Sequence, residues 1–138
     1  MSAFIKPVAD KLVEILRATD LFRDVGQAWT GNPPNFPCCF VRPERTLFDP
    51  DQQQARSQVH HFTVKIGVLG GDPEDVIADS LAMVKAVDEA LTASDPAQWP
   101  SVRWLWIAGH HYGPLFERAG GGISRFPEID LLVEVTEL

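Results

Sequence analysis

Apolar residues recur along this chain at two spacings, and each spacing predicts one kind of element. Near the N-terminus they fall three or four positions apart, which predicts an amphipathic helix that begins at Ser2 or Pro7 and ends at Thr19. The apolar stripe of this helix consists of Ile5, Val8, Leu12, Ile15 and Leu16. Between Val59 and Leu69 apolar and polar residues alternate instead, which predicts a strand with one buried face and one face in water.

A second helix is predicted after the break at Gly70–Gly71. Asp72 is a typical N-cap, Pro73 suits the first helical position, and the two acids that follow favour the positive end of the helix dipole. We expect its buried face to carry Ile77, Leu81, Val84 and Leu91, with Val76 and Val87 beside them. The prolines in Thr92–Pro100 end the helix.

Prolines also delimit the first strand. A loop rich in them, Trp29–Pro37, precedes a predicted strand at Cys38–Phe48. We expect Phe40 and Leu47 to face the core. Pro43 cannot donate a hydrogen bond to a neighbouring strand, so it predicts an edge position or a bulge.

The last part of the chain carries two further strand-like runs, Val102–Tyr112 and Arg125–Thr136. In the first run, one face carries Trp104, Trp106 and Ala108, and the other carries Leu105 and Ile107. Because both faces are apolar, we predict a central strand that is covered on both sides. In the second run, the residues expected to face the core are Ile129, Leu131, Val133 and Val135.

Two long loops connect these four strands in pairs. Asp49–Gln58 is polar throughout and joins the first pair, and Gly113–Ser124 joins the second. The second loop contains Gly113, Gly120, Gly121 and Gly122. We therefore predict a mobile hairpin tip that becomes ordered on contact with a partner.

The predicted elements follow the order α-β-β-α-β-β within one domain, residues 1–138. The predicted fold class is therefore α+β, a four-stranded antiparallel sheet with two helices packed on one face and two long hairpin loops. The other sheet face combines Trp104 and Trp106 with three acids and is too apolar to stay in water. The acids are Glu128, Asp130 and Glu134. We predict that this face contacts another subunit.

Composition narrows the class of partner. The chain has 12 basic and 19 acidic residues and a net charge of −7, so it lacks the basic excess that gripping nucleic acid requires. Cys38 and Cys39 point to opposite faces of a strand, so we expect two reduced thiols and no disulfide. Neither a signal peptide nor an apolar run of membrane-spanning length is visible, which predicts a protein that is soluble and intracellular at synthesis.

No motif for catalysis or for a cofactor is present. The glycines after Arg118 lack the Lys-Ser/Thr pair of a phosphate-binding loop, and no serine has the surroundings of an activated nucleophile. Two alternatives to a structural role stay open. One is a small metal-dependent hydrolase that uses the pairs His60-His61 and His110-His111, although their spacing is not that of a zinc motif. The other is a module that binds RNA or a small ligand on Trp104 and Trp106.

The layout of the chain resembles the tail terminator and tail-completion proteins of tailed bacteriophages, which join head and tail. The matching segments are the helix FIKPVADKLVEILRATDLF, the strand–helix block VHHFTVKIGVLGGDPEDVIADSLAMVKAVDEAL and the closing strand SRFPEIDLLVEVTEL. The resemblance extends over nearly the whole chain and consists of element order, length and loop placement.

This resemblance implies a non-enzymatic virion protein of the tail or neck, assembled in the host cytoplasm without cofactor or membrane contact. It implies a ring, commonly a homohexamer, that ends the tail tube and meets the head connector, with DNA passing through unbound. Basic residues such as Arg42, Arg45 or Arg103 are expected to meet the acids of the next copy. The residues expected at subunit or partner interfaces are Arg42, Arg45, Trp104, Trp106, Arg118, Gly120, Gly121, Gly122, Glu128, Asp130 and Glu134.

Overall fold

Two helices and seven strands form the part of the chain that the computed structural model describes, residues 5–27, 35–48, 56–94, 99 and 102–137. The helices are α1 (Ile5–Ala18) and α2 (Pro73–Ala93). The strands are β1 (Asp24–Gly26), β2 (Cys38–Phe48), β3 (Arg56–Gly70), β4 (Val102–His111), β5 (Leu115–Glu117), β6 (Ile123–Arg125) and β7 (Glu128–Glu137). The fold class is α+β, and every strand pair is antiparallel except that of β1 with β2.

Helix α1 presents one apolar face to the sheet, as its sequence predicts. Its buried residues are Val8, Ala9, Leu12, Val13 and Leu16. The helix ends where Asp20 adopts a left-handed φ of 56° and the Thr19 amide donates to the carbonyl of Leu16 at 3.3 Å. The prediction of an N-terminal amphipathic helix is confirmed.

Helix α2 begins as predicted but buries a different face. The Asp72 carboxylate accepts a hydrogen bond from the Glu74 amide at 2.9 Å, and Pro73 opens the helix. The residues that it buries are Val76, Ser80, Val84, Val87 and Leu91. Ile77 and Leu81, which we expected to be buried, are 41% and 50% exposed. Ser80 can lie in the buried stripe because its hydroxyl donates a hydrogen bond to the Val76 carbonyl.

The four long strands lie side by side in the order β2-β3-β7-β4, and β1 lies beside β2. The end of β3, Val68–Gly70, also pairs with β6, which pairs with β5. The predicted count of four strands is therefore too low. The three short strands have three residues each, too few to show a recognisable apolar period.

The core lies between the helices and one face of the sheet. The fully buried strand residues include Phe62, Val64, Ile66, Ile129, Leu131 and Val133. They form one cluster with the buried residues of α1 and α2, so both helices pack on the same face. The inward residues predicted for β7 are confirmed, and the apolar positions of the alternation in β3 form its buried face.

Strand β4 is an edge strand, which corrects the prediction of a central one. Among the strands that the structure describes it pairs with β7 alone. Leu105 and Ile107 pack against the core, whereas Trp106 on the other face is 63% exposed. Apolar residues on both faces therefore did not mean that both faces are covered, because Trp106 stays exposed and Trp104 is only half-buried.

A bulge in β2 between Pro43 and Arg45 changes which residues face the core. The bulge at the proline is confirmed. Leu47, which we expected to point inward, is 49% exposed because the bulge adds a residue and reverses the alternation after it. Phe40 is buried, but it lies on the face away from the helices.

The segment Gly113–Ser124 is a small hairpin rather than the predicted unstructured tip. The Arg118 amide donates to the Gly122 carbonyl, and the Gly121 amide donates to the Arg118 carbonyl, both at 3.0 Å. Gly121 and Gly122 have φ values of 91° and 94°, which glycine adopts without strain. Two other loops were predicted, Trp29–Pro37 and Asp49–Gln58, and their residues 29–34 and 49–55 lie outside the described residues. Strand β3 already begins at Arg56, within the second of these predicted loops.

Candidate interaction surface

The sheet face away from the helices, called the open face here, is built from four rows of side chains that cross β2, β3, β7 and β4. The strand register gives the rows Leu47–Val59–Glu134–Trp104, Arg45–His61–Leu132–Trp106, Arg42–Thr63–Asp130–Gly109 and Phe40–Lys65–Glu128–His111. These rows bring together most of the residues that the sequence predicted for an interface. Basic side chains lie toward β2, acids lie on β7, and tryptophans lie on β4.

Ion pairs already join several of these charges within the sheet. The Glu128 carboxylate lies 3.9 Å from Arg42 Nη2, and the Asp130 carboxylate lies 3.4 Å from His61 Nε2. Glu134 lies 3.7 Å from the Arg103 guanidinium. Glu128 and Glu134 are therefore partly neutralised in their own chain, whereas Asp130 gains a charged partner only if His61 is protonated.

Arg42 and Arg45 differ in how far they are engaged. Arg42 Nε donates to the Glu44 carboxylate at 2.6 Å, and this hydrogen bond lowers the pKa of Glu44. Arg45 is exposed and forms no ion pair with any other described residue. Among the described residues, Arg45 is therefore the basic side chain of the open face that is exposed without an ion pair in its own chain.

The two tryptophans are unequally exposed. Trp106 lies on the edge strand with 63% of its surface in water, the largest exposure of the large apolar residues that the structure describes, and Trp104 is half-buried. A tryptophan that is this exposed is typical of an interface that forms with a partner.

The hairpin of β5 and β6 adds an aromatic cluster beside the last row. The ring of Phe126 lies 5.8 Å from that of Phe36 and 6.4 Å from that of Phe116. Arg118 lies over Phe36 at 5.1 Å, so this predicted contact residue is engaged within its own chain. Next to the cluster is a cavity of about 430 Å³ lined by Lys65, His111, Gly113, Pro114, Phe116, Phe126 and Glu128.

The sequence-based predictions did not include this aromatic cluster, although one glycine of the sequence indicates it. Gly67 lies where an added Cβ would collide with the sulfur of Cys38 and approach Phe36 and Phe126 within 3.2 Å. A glycine inside an alternating strand often marks such a close approach. Gly120 and Gly121 of the hairpin turn differ from it, because a Cβ on either would meet nothing within 4 Å.

The four histidines lie at four separate places. His60 is buried near the helices, with Nδ1 2.8 Å from the Thr46 hydroxyl, and His61 pairs with Asp130 on the open face. His110 Nε2 lies 2.7 Å from the Asp88 carboxylate of α2, and His111 lies on the open face. Strand β7 separates the two pairs, and the residues that the structure describes contain no group of three His, Cys, Asp or Glu able to hold a metal.

The two cysteines behave as predicted within the fold. Both are free and fully buried, and they point to opposite faces of β2. Burial raises the pKa of the Cys38 thiol to about 11, and it raises the pKa of Cys39 as well. Neither thiol is therefore an activated nucleophile.

Another cavity, of about 540 Å³, lies on the helix side, away from the open face. Its described lining residues are mostly apolar, with Arg23 and Asp79 as the charged ones, and none of them is Ser, Cys or His. This lining offers no nucleophile paired with a base, so the cavity gives no support for a hydrolase.

No protein-family model matches this chain, and no curated protein sequence matches it. Neither α1 nor α2 has the length and apolar character that a bilayer-spanning helix requires.

Proposed function

We propose that this protein is a structural subunit of a tailed phage or prophage particle. Copies of it form a ring, a hexamer in our proposal, that ends the tail tube and joins it to the head connector, and DNA passes through the ring. The protein has no catalytic role in this proposal. The supporting observation is the open face, which carries at its β2 side an exposed arginine, Arg45, with no ion pair to any described residue, and an exposed tryptophan at its β4 side.

Two unlike sides on one subunit favour assembly into a ring. When the two contact surfaces differ, copies associate head to tail, and the chain of copies closes if the rotation per copy allows it. The net charge of −7 supports the rest of the proposal, because an acidic ring repels the DNA phosphates and lets the duplex slide. The element order that resembles tail terminators points to the same role.

Electron microscopy of the negatively stained, purified protein tests this proposal. We expect rings with a central hole wide enough for duplex DNA, and we expect these rings to sit on the ends of purified phage tail tubes. The matched control is the same protein in a denaturant concentration that unfolds it, where rings are absent. Particles without a hole, or protein that stays monomeric even with tail tubes, would refute the proposal.

A binding module for single-stranded RNA has one observation in its favour, the exposure of Trp106. The neighbouring rows, however, carry Asp130 and Glu134, which repel phosphates. Titration with a single-stranded oligonucleotide at modest salt separates the two functions. Quenching of tryptophan fluorescence would support the RNA-binding module, and unchanged fluorescence is the result that we expect.

A further inference from the structure

We propose that neighbouring copies are joined by Arg45 of one copy stacking on Trp106 of the next. This inference rests on the proposed ring and names the contact that holds it together. The partner of the open face is therefore a second copy of this chain.

The sheet geometry places these two residues at opposite ends of one row. The row runs Arg45–His61–Leu132–Trp106, so its ends are roughly 14 Å apart at the usual strand spacing. Both side chains project from the open face. When two copies lie side by side in the direction of the rows, the end of one row comes next to the start of the other.

The chemistry of the two ends is complementary. Arg45 is exposed and has no ion-pair partner among the described residues, and Trp106 is 63% exposed. A planar guanidinium stacks on the face of an indole, and Arg and Trp are the residues that most often dominate interface energetics. In the adjacent row, Arg42 lies at the β2 side with 52% of its side chain exposed, and Asp130 lies toward the β4 side with 44% of its side chain exposed. A basic side would therefore meet an acidic one.

Side chains rather than main-chain pairing carry this contact. Among the described strands, β2 is paired with β1 at Cys38–Phe40 and is an edge strand beyond it, where it has a bulge at Pro43/Arg45. Pro43 has no amide hydrogen to donate. Strand β4 has bulges between Val102 and Trp104 and between Ile107 and Gly109. Bulges and prolines on edge strands oppose edge-to-edge extension of a sheet. Pairing of β2 with β4 of the next copy is thus disfavoured, and contact through side chains on the open face stays possible.

Two substitutions and two matched controls test the contact. We expect Arg45→Glu and Trp106→Ala each to turn rings into monomers in light scattering, with unchanged circular dichroism. The controls make similar changes at exposed positions of α2, Lys85→Glu and Leu81→Ala, and should leave the rings intact. Rings that persist in both Arg45→Glu and Trp106→Ala would overturn the inference. So would loss of rings in the controls to the same degree.

Cross-linking tests the direction of the contact without removing it. In the double variant Glu44→Cys/Ala108→Cys, a short bismaleimide linker should give a ladder of products that stops at the ring number. Each single variant should give monomers only, because position 44 of one copy faces position 108 of the next. Cys38 and Cys39 are fully buried and should not react. A product that stops at the dimer would show a two-fold contact and overturn the inference.

The outcomes separate this inference from the proposed function. If the wild-type protein forms rings that survive Arg45→Glu and Trp106→Ala, the ring stands and the named contact is wrong. If the wild-type protein is monomeric and the double-cysteine variant gives no cross-linked product, both are wrong.

Discussion

His60 is the buried polar side chain with the least support from its neighbours. It is 1% exposed, Thr46 contacts its Nδ1, and within the described part of the chain its Nε2 has no hydrogen-bond partner. Desolvation lowers the pKa of His60 below the usual value of about 6.5. The fold therefore favours the neutral imidazole, whereas the unfolded chain protonates it near pH 6.5.

Stability should therefore fall as the pH drops below about 6.5, until His60 also protonates in the folded state. Above about pH 6.5 the imidazole of His60 is neutral in both the folded and the unfolded state, so it no longer lowers the free energy of unfolding. We expect denaturant melts of the wild-type protein to show this slope, and His60→Gln to flatten it. An unchanged slope in His60→Gln would contradict the assignment.

Two glycines of the hairpin turn should respond differently to the same substitution. Gly122 has a φ of 94°, and an added Cβ would lie 3.3 Å from the Leu69 side chain. We expect Gly122→Ala to cost about 1 kcal/mol of stability. Gly120 has open space around it, so Gly120→Ala should change stability by less than about 0.5 kcal/mol. Chemical denaturation measures both, and equal effects would contradict the turn geometry.

At the scale of the elements, the start of helix α2 could be predicted from the sequence, but its buried face could not. Its start followed from Asp72 and Pro73, since capping is local chemistry that the sequence displays. Its buried face did not follow, because Val76–Val84–Val87 and Ile77–Leu81–Val84 both fit a helical period. The choice between these stripes depends on how the helix packs on the sheet.

Paired substitutions on α2 test this helix orientation. Val84 is 2% exposed, and we expect Val84→Ala to destabilise the protein by roughly 1–2 kcal/mol through lost burial and a small cavity. Leu81→Ala removes more atoms, but Leu81 is 50% exposed, so we expect a change of less than about 0.5 kcal/mol. Thermal or denaturant unfolding gives both values. A larger cost for Leu81→Ala would show that the helix packs the other way.

The predictions for the strands were also right in part, and their failures have different physical causes. Alternation identified β3 and β7 and their inward residues, because a strand with one buried face has a plain period of two. The same rule failed for Leu47 beyond the Pro43/Arg45 bulge, where one extra residue reverses the faces. It also failed for β4, since apolar residues on both faces cannot distinguish a covered face from one that awaits a partner.

At the scale of the whole molecule, the sequence indicated which residues lie on the open face better than it indicated how they are arranged there. The two arginines, the two tryptophans and the three acids of the prediction do lie on one sheet face. Arg118 and the glycines do not join them, because the hairpin folds back and Arg118 contacts Phe36. The row that links Arg45 to Trp106 depends on the strand order, which no local pattern contains.

In the proposed function, copies of this chain associate head to tail into a closed ring. Light scattering after size-exclusion chromatography measures the mass of the particle directly. If the ring forms, we expect one species whose mass is a fixed multiple of the 15.3 kDa chain, six in the proposed hexamer, across a wide range of concentrations. A mass of 15.3 kDa at every concentration, or one that grows without limit as concentration rises, would contradict it.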